Sequence, residues 1–190
     1  MNLPNKLTLL RVLLIPVFLV FLLIGGAQVN LFGDIKLDIN IFIALAIFGV
    51  ASITDLIDGK IARKYNLITN FGKFLDPLAD KMLVMATIVC FVALGWIDAI
   101  AVVIILAREF MVSALRLVVA NDGVVVAAGI WGKLKTFVTM IALALIMFAE
   151  CLGFHFFIFN EILIWISAVL TVISGLQYLK AYWPYIDSSK

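Results

Sequence analysis

Long apolar runs constrain this chain more than any other feature. Stretches of 18 or so nearly uninterrupted apolar residues recur from Leu7 onward, about the length a helix needs to cross roughly 30 Å of hydrocarbon. In lipid every backbone N–H and C=O must find a partner within the protein, which leaves helices and closed barrels. The runs are continuous rather than alternating, so helices fit and a barrel does not. A chain of 190 residues that is 65% hydrophobic and 14% charged matches neither an ordinary soluble domain nor a disordered one. The expected fold is an all-α integral membrane protein, a single catalytic domain over 1–190. It has six transmembrane helices at approximately 7–24, 39–60, 72–94, 97–120, 133–152 and 162–182.

The first run resembles a secretory signal only superficially. Arg11 inside it and the amphipathic start Asn5-Lys6-Leu7-Thr8 argue for a retained helix, bent at Pro16. A polar link with Asp34, Lys36 and Asp38 follows. In a six-span arrangement Lys6, Arg11, Lys60, Arg63, Lys64, Lys73, Arg116, Lys133, Lys135, Lys180 and Lys190 share one side. The opposite links hold only Lys36 among Asp34, Asp38, Asp98, Glu150 and Glu161. The basic side, with both termini, is therefore expected in the cytoplasm. Trp131, Tyr182, Trp183 and Tyr185 would anchor that interface and Trp96 the other. Cys90 and Cys151 lack metal-ligand spacing and read as buried free thiols. His155 reads as an interfacial residue rather than a ligand.

Acidic residues are scarce in such a chain, yet four of its twelve, Asp55, Asp58, Asp76 and Asp80, fall within one short stretch. The apolar part of the second run would span roughly 22 Å, which puts Asp55 near the depth of the lipid phosphates. At 100° per residue, Asp55, Asp58, Gly59 and Ala62 share a stripe of one helix. Gly72, Asp76 and Asp80 follow in four-residue steps on the next. Glycine and alanine leave room for a ligand or a neighbouring backbone. Carboxylates are costly within a membrane and repel one another. Solvated loop acids paired with Arg63, Lys73 and Lys81 are the plainer alternative. Divalent cations relieve both costs, and oxygen ligands without His or Cys suit Mg²⁺ or a similar ion. Two such ions could serve a phosphoryl transfer.

The order Asp55-x2-Asp58-Gly59-x2-Ala62-Arg63-x8-Gly72-x3-Asp76-x3-Asp80 resembles the signature of the CDP-alcohol phosphotransferases at every fixed position. The resemblance implies that Asp55, Asp58, Asp76 and Asp80 hold the metal, Mg²⁺ first and Mn²⁺ second, as a pair of ions. It implies that Asp80 is also the base for the acceptor hydroxyl. Asp55, Asp58, Gly59, Ala62, Arg63 and Gly72 would bind the CDP moiety, with Arg63 near the pyrophosphate. The family is usually homodimeric.

The acceptor has to be chosen elsewhere. On the fourth run Glu109, Ser113 and Arg116 lie within about 60° of one another, and Lys133, Lys135 and Thr136 open the fifth. Arg116, Lys133 and Lys135 can gather into a basic pocket for a phosphate-bearing acceptor, or serve only to set orientation. Arg108 lies deeper and is expected to pair with Glu109 or with another helix. Asn2 to Arg11 followed by Pro16, Ala107-Arg108-Glu109-Phe110 with Ser113 and Arg116, and Gly132-Lys133-Leu134-Lys135-Thr136 resemble the phosphatidylglycerophosphate synthase branch. That branch implies CDP-diacylglycerol and sn-glycerol 3-phosphate as substrates and adds Thr8 and Arg11 to the acceptor-phosphate candidates. A cardiolipin synthase using phosphatidylglycerol is the nearest rival. An aspartate-rich membrane prenyltransferase and a small ion transporter are remoter alternatives: the Gly-x2-Ala-Arg segment does not suit the first, nor one-sided carboxylates the second. The expected setting is the inner or plasma membrane, with the active site facing the cytoplasm and no nucleic-acid partner.

Overall fold

Apolar runs that must close their own hydrogen bonds become helices here, six among the described residues. The computed structural model describes residues 3–24, 26–32, 35–64, 70–121 and 129–187. Within these elements the side chains at 3–5, 31, 32, 35, 56–64, 70–78, 80, 117–121 and 184–187 lie outside the description. The helices are α1 (Leu3–Ile24), α2 (Ile39–Lys64), α3 (Asn70–Ala93), α4 (Ala99–Asn121), α5 (Ile130–Cys151) and α6 (Phe157–Asp187). Three contain stretches long and apolar enough to cross a membrane: Lys6–Ile24, Ile130–Cys151 and Phe157–Trp183. Ile39–Asp55 of α2 and Lys81–Ala93 of α3 are shorter apolar stretches. Pro16 lies inside α1, whose assignment continues past it. The chief shift in bounds is α6, which starts at Phe157 rather than 162 because the aromatic segment before Ile162 already belongs to the helix.

One element departs from an all-α fold. The link after α1 forms an antiparallel hairpin of β1 (Gln28–Phe32) and β2 (Ile35–Asp38), with Gln28 opposite Asp38 and Val29 opposite Leu37. The cause is visible in the residues. Gln28-Val29-Asn30-Leu31 and Ile35-Lys36-Leu37-Asp38 alternate polar and apolar, the period of a strand, around Gly33-Asp34. Asp38 then starts α2 as its N-cap, its carboxylate accepting from the N–H groups of Asn40 (2.9 Å) and Ile41 (3.2 Å). Its other oxygen accepts from the Gly26 N–H at 3.1 Å. At the end of α5, Gly153 takes a φ of 73°. Its N–H reaches Glu150 O, and that of Phe154 reaches Ala149 O, both at 3.0 Å. These are the two bonds of a Schellman cap, whose left-handed position favours glycine.

The chain divides into two compact units. The first comprises Met1–Leu94 with Ala144–Phe156, the second Gly95–Leu143 with Phe157–Lys190. In the first, α1 packs on both α2 and α3. Its buried stripe is Thr8, Arg11, Ile15, Phe18 and Leu22, at spacings of three and four. The stripe of α2, Ile41, Ala44, Phe48 and Ala51, has the same period and leads on to Asp55. Phe18 meets Phe48 with ring centroids 6.1 Å apart. The two helices are antiparallel, so seven residues back along α1 and seven forward along α2 bring Arg11 to Asp55.

In the second unit α4 packs on α6. Their polar contacts rise together: Asp98 N–H to Glu161, Arg108 to Ser174, Arg116 to Tyr178. The two helices therefore run parallel. The buried face of α6 is unusually polar, with Asn160, Ser167, Thr171 and Ser174 among Ile164, Ala168, Tyr178 and Tyr182.

Candidate active site

The first acid of the cluster is the one whose side chain is described. Asp55 sits at the polar end of the α1–α2 contact and accepts a hydrogen bond from Nη1 of Arg11. Arg11 is 1% exposed and Asp55 32%. A guanidinium this buried needs a carboxylate, because an unpaired charge there would bear its full desolvation cost. Arg11, expected among the acceptor-phosphate candidates, bonds the first acid of the aspartate cluster, because the α1–α2 register sets it opposite Asp55. Thr8, three residues before it on the same stripe, is fully buried.

The remaining signature residues have described backbone only. Asp58, Gly59, Ala62 and Arg63 ride on α2, and Gly72, Asp76 and Asp80 on α3; their side chains lie outside the described residues. Among the described residues no group of three or more His, Cys, Asp or Glu is placed to hold a metal ion. The donor chemistry nonetheless fits a hard divalent cation. All four signature acids are carboxylates at helix spacings, the oxygen donors such an ion takes.

In the second unit one acid takes a basic residue from each of α4 and α5. Glu109, half-buried, accepts from Arg108 Nη1 at 3.1 Å and from Lys135 Nζ. Arg108, 6% exposed, also donates through Nη2 to Ser174 Oγ at 2.7 Å. Its expected pairing with Glu109 is therefore found, and a contact with another helix as well. Arg116 is exposed at its helix surface but donates through Nη2 to Tyr178 Oη. Both guanidinium carbons face the Tyr178 ring, that of Arg108 at 5.5 Å and that of Arg116 at 4.8 Å from its centroid, within cation–π range. Lys133 is exposed.

Reading the sequence missed Ser174, Gly175 and Tyr178. Gly175 is required by Arg108, since a Cβ there would stand 2.9 Å from Arg108 Cγ. The signal was available: Ser167, Thr171, Ser174, Tyr178 and Tyr182 recur at steps of three and four in an otherwise apolar helix. Tyr182, expected at the membrane interface, is instead 2% exposed and stacks on Tyr178 with centroids 6.1 Å apart. Trp131 and Trp183 are exposed, as an interfacial role requires. Cys90 and Cys151 are buried free thiols. His155 is exposed and holds its Nδ1 against the buried Glu150 carboxylate, outside any ligand cluster among the described residues.

Comparison with known proteins shows the family of the chain. Residues 1–173 match the family described as CDP-alcohol phosphatidyltransferase. The chain is 42% identical over 194 residues to the CDP-diacylglycerol–glycerol-3-phosphate 3-phosphatidyltransferase of Bacillus subtilis, covering 99% of this chain and 98% of the relative. A protein of the same name from Rickettsia typhi is 42% identical over 186 residues, 97% of this chain and 98% of its own. A probable phosphatidylglycerophosphate synthase of Mycobacterium tuberculosis is 39% identical over 179 residues, 94% of this chain and 80% of its own.

Proposed function

The chain belongs to the CDP-alcohol phosphatidyltransferase family, and from that premise we propose that it is a phosphatidylglycerophosphate synthase. It transfers the phosphatidyl group of CDP-diacylglycerol to sn-glycerol 3-phosphate, giving phosphatidylglycerophosphate and CMP. The observation that carries this is near-full-length similarity to proteins of that named activity, on a chain whose aspartate signature is complete from Asp55 to Asp80.

Asp55, Asp58, Asp76 and Asp80 would hold two divalent cations, Mg²⁺ or Mn²⁺. When bound, such ions supply neutralisation of the diphosphate and of the charge that develops on the departing CMP. Asp80 takes the proton of the acceptor hydroxyl as that oxygen bonds to the lipid-side phosphorus. The bond from this phosphorus to the bridging oxygen breaks in line, and CMP leaves with the electron pair. In this reading Gly59, Ala62 and Gly72 would let the nucleotide approach the helix backbones, and Arg63 would bind its pyrophosphate. Arg116, Lys133 and Lys135 receive the acceptor phosphate. Holding both substrates in line is the larger part of the catalysis.

All six helices cross the membrane in this reading, with both termini and the active site on the cytoplasmic side of the inner or plasma membrane. The antiparallel α1–α2 pair and the parallel α4–α6 pair suit such alternation. The protein acts as a homodimer. Purified protein with labelled CDP-diacylglycerol, offered glycerol 3-phosphate, phosphatidylglycerol, serine and inositol in parallel, tests the reaction. CMP release should require glycerol 3-phosphate and a divalent cation. Release driven by phosphatidylglycerol would make it a cardiolipin synthase, and turnover surviving EDTA would remove the metal from the mechanism.

A further inference from the structure

We propose that Tyr178 is a positioning residue for the acceptor site. It holds the Arg116 guanidinium oriented for a phosphate dianion, and so sets the preference for a phosphorylated over an unphosphorylated alcohol. The proposal rests on the reaction assigned above.

An arginine at a helix surface has a long side chain whose ordering opposes binding. Arg116 has surrendered much of that freedom already. One donor is used on Tyr178 Oη, the guanidinium lies over the ring, and among the described residues no further hydrogen bond occupies the other N–H donors of its fork. Arg108 approaches the same ring, so two cations share one aromatic group. The negative ring faces, the hydroxyl oxygen and the Glu109 carboxylate beside Arg108 offset their repulsion.

Tyr178 is itself well held. It is 6% exposed and packs with Val112, Leu115 and Tyr182. Its hydroxyl abuts Gly132, where a Cβ would stand 3.4 Å from Oη. Gly132 opens the segment that carries Lys133 and Lys135. The Tyr178 hydroxyl thus lies between Arg116 of α4 and Gly132 at the start of α5. Phenylalanine would pack this cluster equally well; the hydroxyl is what orients Arg116.

The test compares wild type, Tyr178→Phe and Tyr178→Leu in detergent. Readouts are kcat, the KM of each substrate, thermal midpoint, and the ratio of kcat/KM for glycerol 3-phosphate to that for glycerol. Calorimetric titration with glycerol 3-phosphate adds a readout independent of turnover. Losing one hydrogen bond to a charged group should raise both KM and Kd for glycerol 3-phosphate roughly tenfold. The acceptor ratio should fall in step, while kcat, the KM for CDP-diacylglycerol and the thermal midpoint of Tyr178→Phe hold. Tyr178→Leu, which also removes the ring, should lose more. An unchanged ratio overturns the inference, whether the two KM values are unmoved or rise together with a lower midpoint. If the wild type shows no glycerol 3-phosphate-dependent release of CMP, the reaction assignment fails. Titration then still judges Tyr178: unaltered binding in Tyr178→Phe, or none in the wild type, refutes it.

Discussion

The two units solve opposite charge problems with the same device. In the first, a buried cation from α1, Arg11, compensates a carboxylate of the aspartate cluster. In the second, a half-buried carboxylate, Glu109, compensates cations from α4 and α5, and a tyrosine takes the next. Each unit thus contains an internal partner whose sign matches the ligand proposed for it, cationic for the aspartates and anionic for the basic cluster. A low-dielectric environment explains why. Unpaired charge there is costly, so a site for a charged ligand is sustained by a resident partner until the ligand arrives.

The sharpest way to separate the units is chemical. Asp80→Asn should lower kcat by about 10²–10⁴-fold, the usual contribution of a general base, with nucleotide binding partly retained. Near-normal turnover in a single-turnover assay would remove Asp80 as the base. The comparison next turns on Arg11. Arg11→Gln should destabilise the protein by about 1–3 kcal/mol, the loss of a buried pair discounted for the partial exposure of Asp55. Thermal unfolding in EDTA reads this, and Mg²⁺ or the second change Asp55→Asn should restore the midpoint. Failure of both to restore it would leave Arg11 with a packing role alone.

In the second unit Lys135→Gln should raise the KM for glycerol 3-phosphate roughly tenfold with a smaller change for CDP-diacylglycerol. Equal shifts would dissolve the division of labour between the two units. The smallest effect expected is that of Gly175→Ala, whose methyl group must displace Arg108. A loss of about 1–2 kcal/mol in thermal unfolding, with a fall in acceptor affinity, would tie the α6 cradle to the basic cluster. A neutral result would mean that Arg108 can shift without consequence.

How much of this was legible beforehand differs by residue. The aspartate signature was legible as spacing along the chain, and it led to the family that the comparisons show. Arg108 was legible as half of a pair, since a guanidinium so far along an apolar run must find an acceptor. The hairpin was legible too, in alternation across Gln28–Leu31 and Ile35–Asp38, but a strand signal of four residues is easily passed over between long helices. The Arg11–Asp55 pair was not legible, because the partner of Arg11 depends on which residue of α2 faces it. Tyr178 and Ser174 were missed because polar but uncharged residues in a long apolar helix resemble ordinary membrane packing.

The sequence by itself determined that the chain is helical and apolar enough to cross a membrane, that it carries the aspartate signature, and to which family it belongs. These follow from composition, period and spacing along one chain, and hydrogen bonds within a helix need no distant partner. Only the tertiary structure decided who compensates whom. The α1–α2 register paired Arg11 with Asp55 two turns beyond Phe18 and Phe48. The parallel packing of α6 on α4 put Tyr178 beside Arg116. Such pairings depend on how two helix faces slide and rotate against each other, and summed side-chain packing, not any local motif, sets that.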